Sequence, residues 1–156
     1  MTPETDAPMT LSGRIESAMR DGMRARDERR TQTLRMAMAA AHNLKIARGR
    51  ELTDEEVIGV LTKQVKQRRE SIAIYRDAGR EDRAVAEEAE AAILTEFLPQ
   101  QLAEDEIESM ARAAIAEAGA STPAEMGRVM GLLSPRTKGR ADGRFVSEVV
   151  RRLLAG

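Results

Sequence analysis

The stretch Leu52–Gly79 reads "LTDEEVIGVLTKQVKQRRESIAIYRDAG". It opens with Thr53 followed three residues later by Glu56, a spacing in which the hydroxyl and the carboxylate each satisfy the other's free backbone N–H. Leu52 and Val57 flank that pair as a hydrophobic staple. Val57, Leu61, Val65, Ile72 and Tyr75 then fall on one face of a 3.6-residue repeat, and Gly79 ends the run. A capped helix of more than twenty residues is the reading. The next segment, roughly Asp82 to Phe97, is alanine-rich and acidic and is closed by Pro99. Small side chains at Ala86, Ala89 and Ala92 are expected to let it lie close against its predecessor as an antiparallel hairpin.

The same grammar extends outward in both directions. Upstream, Leu11, Ile15, Met19 and Met23 form a fourfold stripe that starts near Thr10. Leu34, Met38, Ala41 and Leu44 form another that ends at Gly49. Between them, "RARDERR" permits either a fresh start capped by Asp27 or one continuous helix. Downstream, "LPQQL" (Leu98–Leu102) reads as a joint between two parts. A helix from Glu104 to Ala118 follows, with Ile107, Met110, Ala114 and Ile115 inward and Gly119 at its end. Thr122, Pro123 and Glu125 suggest a second capping box before a short helix bearing Met126, Val129, Met130 and Leu133. Asp142 caps the last helix, with Phe145, Val149, Val150 and Leu153 on its apolar side. The expected fold is all-α: a four-helix N-terminal part over residues 10–98 with a long hairpin, then a three-helix part over 99–156. Residues 1–9 are expected to be a disordered tail.

Composition agrees. The 156 residues are 42% hydrophobic, and good helix formers dominate, while Tyr75, Phe97 and Phe145 are the whole aromatic content. There is no cysteine, which excludes disulfides, thiolate metal sites and cysteine nucleophiles. The start, "MTPETDAPMT", lacks the apolar core of a signal peptide, and the longest wholly apolar run, Met36–Ala41, is far too short for a membrane span. A cytoplasmic protein with no membrane partner and no bound metal is expected.

Catalytic material is scarce. His42 is the single histidine and reads as a surface or helix-packing residue. No nucleophile elbow, HExxH, Walker loop or dinucleotide fingerprint occurs. The adjacent pairs Glu55–Glu56 and Glu87–Glu88 point apart on a helix and suit a solvated face. No catalytic residue and no cofactor is assigned.

Charge is the informative feature. The net charge is −1. Basic residues outnumber acidic ones ten to six over residues 1–50, are outnumbered eight to eighteen over 51–125, and prevail seven to two from Met126 onward. Within the last part, "SPRTKGRADGRF" (Ser134–Phe145) puts Arg136, Lys138, Arg140 and Arg144 in what reads as a turn shaped by Pro135, Gly139 and Gly143. A turn has no conformational need for cations. Arg128 precedes it, and a helix N-terminus follows it. Cations beside a helix N-terminus suit phosphate, though composition alone leaves a solvated loop equally open. With so few aromatics, base stacking is not on offer, and a nucleic acid held here would be gripped by backbone and shape. A second basic feature is the ridge Lys63, Lys66 and Arg69, spaced by three and set away from the apolar stripe; a solvated helix face is the favoured reading of it.

Three stretches carry a resemblance. "STPAEMGRVMGLLSPRTKGRADGRFVSEVVRRLL" (Ser121–Leu154) is similar to the C-terminal signature of the GatB/YqeY family. "LRMAMAAAHNLKIARGRELTDEEVIGVLTKQVKQRRESIAIYRDAGRED" (Leu34–Asp82) and "EFLPQQLAEDEIE" (Glu96–Glu108) resemble its N-terminal part. The likeness is greatest to stand-alone YqeY-like proteins, and the GatB tail of the Asp/Glu-tRNA amidotransferase shares the shorter pattern. The resemblance implies a helical fold and kinship to a module that helps grip the outer body of tRNA. By position it implicates Gly127, Lys138, Gly139, Arg140 and Ala141, of which Lys138 and Arg140 can serve a phosphate directly. Ala103 stands where relatives usually carry a capping Ser, a change that costs about 1 kcal/mol at a helix start. The family's carbon–nitrogen ligase label describes chemistry housed in other, larger bodies of the amidotransferase. The expectation is therefore a non-catalytic accessory protein that binds tRNA or a tRNA-handling complex. The alternative is a protein-interaction adaptor that works through the helix three–four hairpin.

Overall fold

A computed structural model describes residues 9–156, so the expected tail lies, apart from Met9, outside the described residues. Seven α-helices and one 3-10 turn make up the regular structure, and among the described residues there is no strand. The protein is all-α. The chain divides into two compact units, one ending at Leu98 and the other spanning Pro99–Gly156.

The N-terminal unit holds α1 (Leu11–Arg24), α2 (Glu28–Arg48), α3 (Asp54–Asp77) and α4 (Glu81–Thr95). The question left by "RARDERR" is answered by a break. Arg26 takes a left-handed backbone at φ 56°, and the Asp27 carboxylate accepts from Arg30 N at 3.1 Å as the cap of α2. The helices close tightly there: a Cβ on Gly22 would stand 2.9 Å from Thr31 Oγ1, so a larger residue would force Thr31 to shift.

The box that starts α3 is fully formed. Glu56 N donates to Thr53 Oγ1 at 3.2 Å, and Thr53 N donates to Glu56 Oε1 at 3.1 Å. Arg50 donates to the same carboxylate at 2.7 Å. That guanidinium, followed by the Thr53 N–H, holds the Glu56 carboxyl down at about 2, from an ordinary 4.5. Asp54, one residue on, accepts from Leu11 N at 3.1 Å and so caps the start of α1 from a neighbouring helix.

The core of this unit gathers Leu11, Ile15, Leu34, Ala37, Val57, Leu61, Val65, Leu94 and Phe97. Two expectations shift. Met23 is 53% exposed, and at the end of α1 it is the neighbouring Gly22 that faces α2. On α4 the residues without exposure are Ala84 and Leu94, whereas Ala86 and Ala89 are half-buried and Ala92 is exposed. The face towards α3 therefore lies to one side of the expected alanine line.

The C-terminal unit holds α5 (Glu104–Ala118), a 3-10 turn (Pro123–Glu125), α6 (Met126–Thr137) and α7 (Gly143–Ala155). Its core gathers Ile107, Ala111, Ala114, Val129, Leu133, Val146, Val149, Val150 and Leu154. Gly119 ends α5 in the left-handed region at φ 63°. The expected box at Thr122 is not made. The Glu125 carboxylate instead accepts from Ser121 N at 3.1 Å, reaching one residue further back because the chain enters a 3-10 turn there.

Candidate functional site

The basic stretch Ser134–Phe145 is less of a turn than its composition suggests. α6 continues through Ser134, Pro135 and Arg136 to Thr137, and the connection to α7 is only residues 138–142. Pro135 cannot donate to the carbonyl four residues back. The helix is nevertheless held past it, since Leu133 and Thr137 are buried and Thr137 Oγ1 donates back to Leu133 O at 3.3 Å. Lys138 then leaves the helix in an extended conformation with ψ 126°. Gly139 turns the chain at φ 75° in a buried position, a left-handed angle that favours glycine. Arg140 N and Ala141 N donate to Thr137 O at 2.9 and 3.1 Å, which tightens the turn. Asp142 caps α7 by accepting from Arg144 N at 3.0 Å.

A strap runs alongside. Leu102 N donates to Arg140 O at 2.8 Å, and Gln101 Nε2 donates to Gly139 O at 2.9 Å and to Pro99 O at 2.8 Å. In return, Arg140 Nε donates to Gln100 O at 3.3 Å.

The cations divide into two groups. Arg128 donates to Ala118 O at 2.7 Å, satisfying one of the free carbonyls at the end of α5, and also pairs with Glu125 at 3.3 Å. Arg136 pairs with Glu117 at 3.0 Å, and Arg152 lies 3.5 Å from Glu108. The Arg140 guanidinium is engaged with the strap and, at 3.5 Å, with Arg136 O. Lys138, Arg144 and Arg151 are exposed, and their charged ends have no acceptor among the described residues. The pair singled out by the resemblance thus differs, with Lys138 open to solvent and Arg140 half-buried and bonded to backbone carbonyls.

In the other unit, Lys63, Lys66 and Arg69 lie on α3 away from its buried face and lack ion-pair partners among the described residues. Their neighbour Arg68 faces inward. His42 is exposed on α2 and lines a depression of about 220 Å³ with Glu16, Lys45, Glu51 and the apolar residues beneath. Lys45 and Glu51 are paired there at 2.6 Å, and the His42 ring has no hydrogen-bond partner among the described residues. Among the described residues, no group of three or more His, Cys, Asp or Glu side chains is placed to hold a metal ion, and no helix is long and apolar enough to cross a membrane.

Sequence reasoning missed Gln101 altogether, hidden as it is in a segment that reads as a mere joint. The internal bonds of Arg128, Arg136 and Arg140 were likewise not legible in the sequence.

Comparison with known proteins spans both units. The family described as Yqey-like protein matches residues 12–154, nearly the whole chain. A relative named "Altered inheritance of mitochondria protein 41, mitochondrial", from Pyrenophora tritici-repentis (strain Pt-1C-BFP), is 26% identical over 144 residues. That alignment covers 90% of this chain and 79% of the relative.

Proposed function

This chain belongs to the Yqey-like protein family, and on that premise we propose that it binds the phosphate backbone of a folded RNA, tRNA first of all, through Lys138 at the end of α6 and Arg144 in the first turn of α7. One observation carries the reading: in the most basic part of the chain, these two side chains flank a helix N-terminus and have no acidic partner among the described residues. The N-terminus of a thirteen-residue helix adds its positive dipole end there, with Arg144 N already taken by the Asp142 carboxylate. Arg128, Arg136 and Arg140 shape the surface in this proposal and rank behind the other two as contacts, since their guanidinium groups already bond within the protein, through exposed pairs that bind only weakly. The chain acts as an accessory protein in this proposal, with no catalytic step of its own, and a cytoplasmic setting belongs to the same reading.

The test is binding of bulk tRNA to the full chain over a range of salt concentrations. Lys138→Ala with Arg144→Ala should weaken binding and reduce the slope of log affinity against log salt by about 1.4–1.8, two phosphate contacts at 0.7–0.9 each. An unchanged slope overturns the assignment. The alternative is an adaptor that docks a protein partner on the α3–α4 hairpin, and the unpaired cations Lys63, Lys66 and Arg69 favour it. Reversing those three charges should leave tRNA binding intact; loss of tRNA binding would move the site to the hairpin.

A further inference from the structure

The segment Pro99–Leu102 and the turn at residues 138–142 form a closed clasp. Gln101 is its centre. Its side-chain amide faces two carbonyl oxygens, Pro99 O at 2.8 Å and Gly139 O at 2.9 Å, so the nitrogen end must point inward, since only that end can donate. Gly139 is the residue whose left-handed backbone directs the chain away from Lys138. Leu102 N, donating to Arg140 O at 2.8 Å, holds the next residue of the turn, and Arg140 Nε, donating to Gln100 O at 3.3 Å, closes the loop from the other side.

The turn is tied at Lys138 N to Ser134 O and at Arg140 N and Ala141 N to Thr137 O, and Ala141 packs on the core. The Gly139 carbonyl, between those ties, has Gln101 as its hydrogen-bond donor among the described residues. We propose that Gln101 is the positioning residue of the basic turn: by fixing the Gly139 carbonyl it sets the direction in which Lys138 is presented to a phosphate. The proposal rests on the reading of Lys138 as a phosphate contact and adds the element that preorganises it. Binding energy is then not spent on ordering a loop.

Gln101→Glu keeps the shape but places an oxygen against two carbonyl oxygens, and Gln101→Met keeps the length with no donor. Both are made in the full chain, together with Lys138→Ala and the double variants. Hydrogen exchange and tRNA binding are measured on each. In both variants the amides of Leu102, Arg140 and Ala141 should exchange roughly tenfold faster or more, while those of α5 and α7 core residues hold their protection. Affinity for tRNA should fall several-fold, with a salt slope lower by about 0.7–0.9. In the Lys138→Ala background either Gln101 change should add no further loss, because the two act as one unit.

A merely structural role would give additive losses and an unchanged slope, and that result overturns the proposal. Unchanged exchange at Leu102 and Arg140 overturns the clasp itself. Faster exchange in a chain whose parent form does not bind tRNA overturns the RNA reading, and the role of Gln101 in it, while leaving the clasp as a structural fact.

Discussion

Arg68 is 6% exposed in the middle of α3, on the face that otherwise carries Val57, Leu61, Val65 and Ile72. A guanidinium there needs acceptors, and it has three: Glu90 Oε2 at 3.3 Å, Gln64 Oε1 at 3.0 Å and Gln64 O at 3.4 Å. The partners are unequal in their access to water, because the Glu90 side chain is 32% exposed and that of Arg68 only 7%. This asymmetry fixes the outcome of mutation. Glu90→Ala strands a buried cation and should cost about 3 kcal/mol, whereas Arg68→Met fills the space and lets Glu90 rehydrate, costing less than about 1 kcal/mol. Urea denaturation of the two variants decides it, and the opposite order would show that Arg68 is solvated in solution. The clue was visible in the sequence as a gap: the apolar stripe skips the turn between Val65 and Ile72, and Arg68 fills it. Its partner was not visible, since Glu90 lies on the next helix.

At the scale of the element, helix starts were legible wherever a side chain and a backbone group meet within four residues. Thr53 with Glu56 is the clearest case. The start of α5 makes a controlled comparison, because Ala103 has backbone angles of −76° and 160° against −73° and 160° for Thr53. Glu106 already accepts from Ala103 N at 2.9 Å. Only the hydroxyl is missing. Ala103→Ser should therefore complete the box and raise stability by about 1 kcal/mol, read as a higher thermal midpoint; no gain would mean that this helix end frays regardless of its cap. The end of α6 was less legible. Pro135 reads as a stop, but the burial of Leu133 and Thr137 on either side outweighs the lost hydrogen bond. The Thr122 box failed for a related reason, since the 3-10 turn that begins at Pro123 moves the Glu125 carboxylate to Ser121 N.

For the whole molecule, the inventory of cations could be read directly, but their employment could not. Arg128, Arg136 and Arg140 find acceptors 10, 19 and 40 residues away in sequence, at Ala118 O, Glu117 and Gln100 O. No local pattern reports such pairs, and only the fold separates Lys138 and Arg144 from them. The same fold has two cores that share no buried residue. Leu133 is fully buried in the second, among side chains from α5, α6 and α7. Leu133→Ala should cost about 2–5 kcal/mol. If each core is its own cooperative unit, the amides of Val146, Val149 and Val150 should lose roughly 30-fold or more of their exchange protection, while those of Leu61 and Val65 keep theirs. Equal loss in both sets would show that the two cores open together. Under the proposed RNA reading, a loss confined to the second unit should also weaken tRNA binding in this variant, because Ala141, in the turn after Lys138, packs on that core.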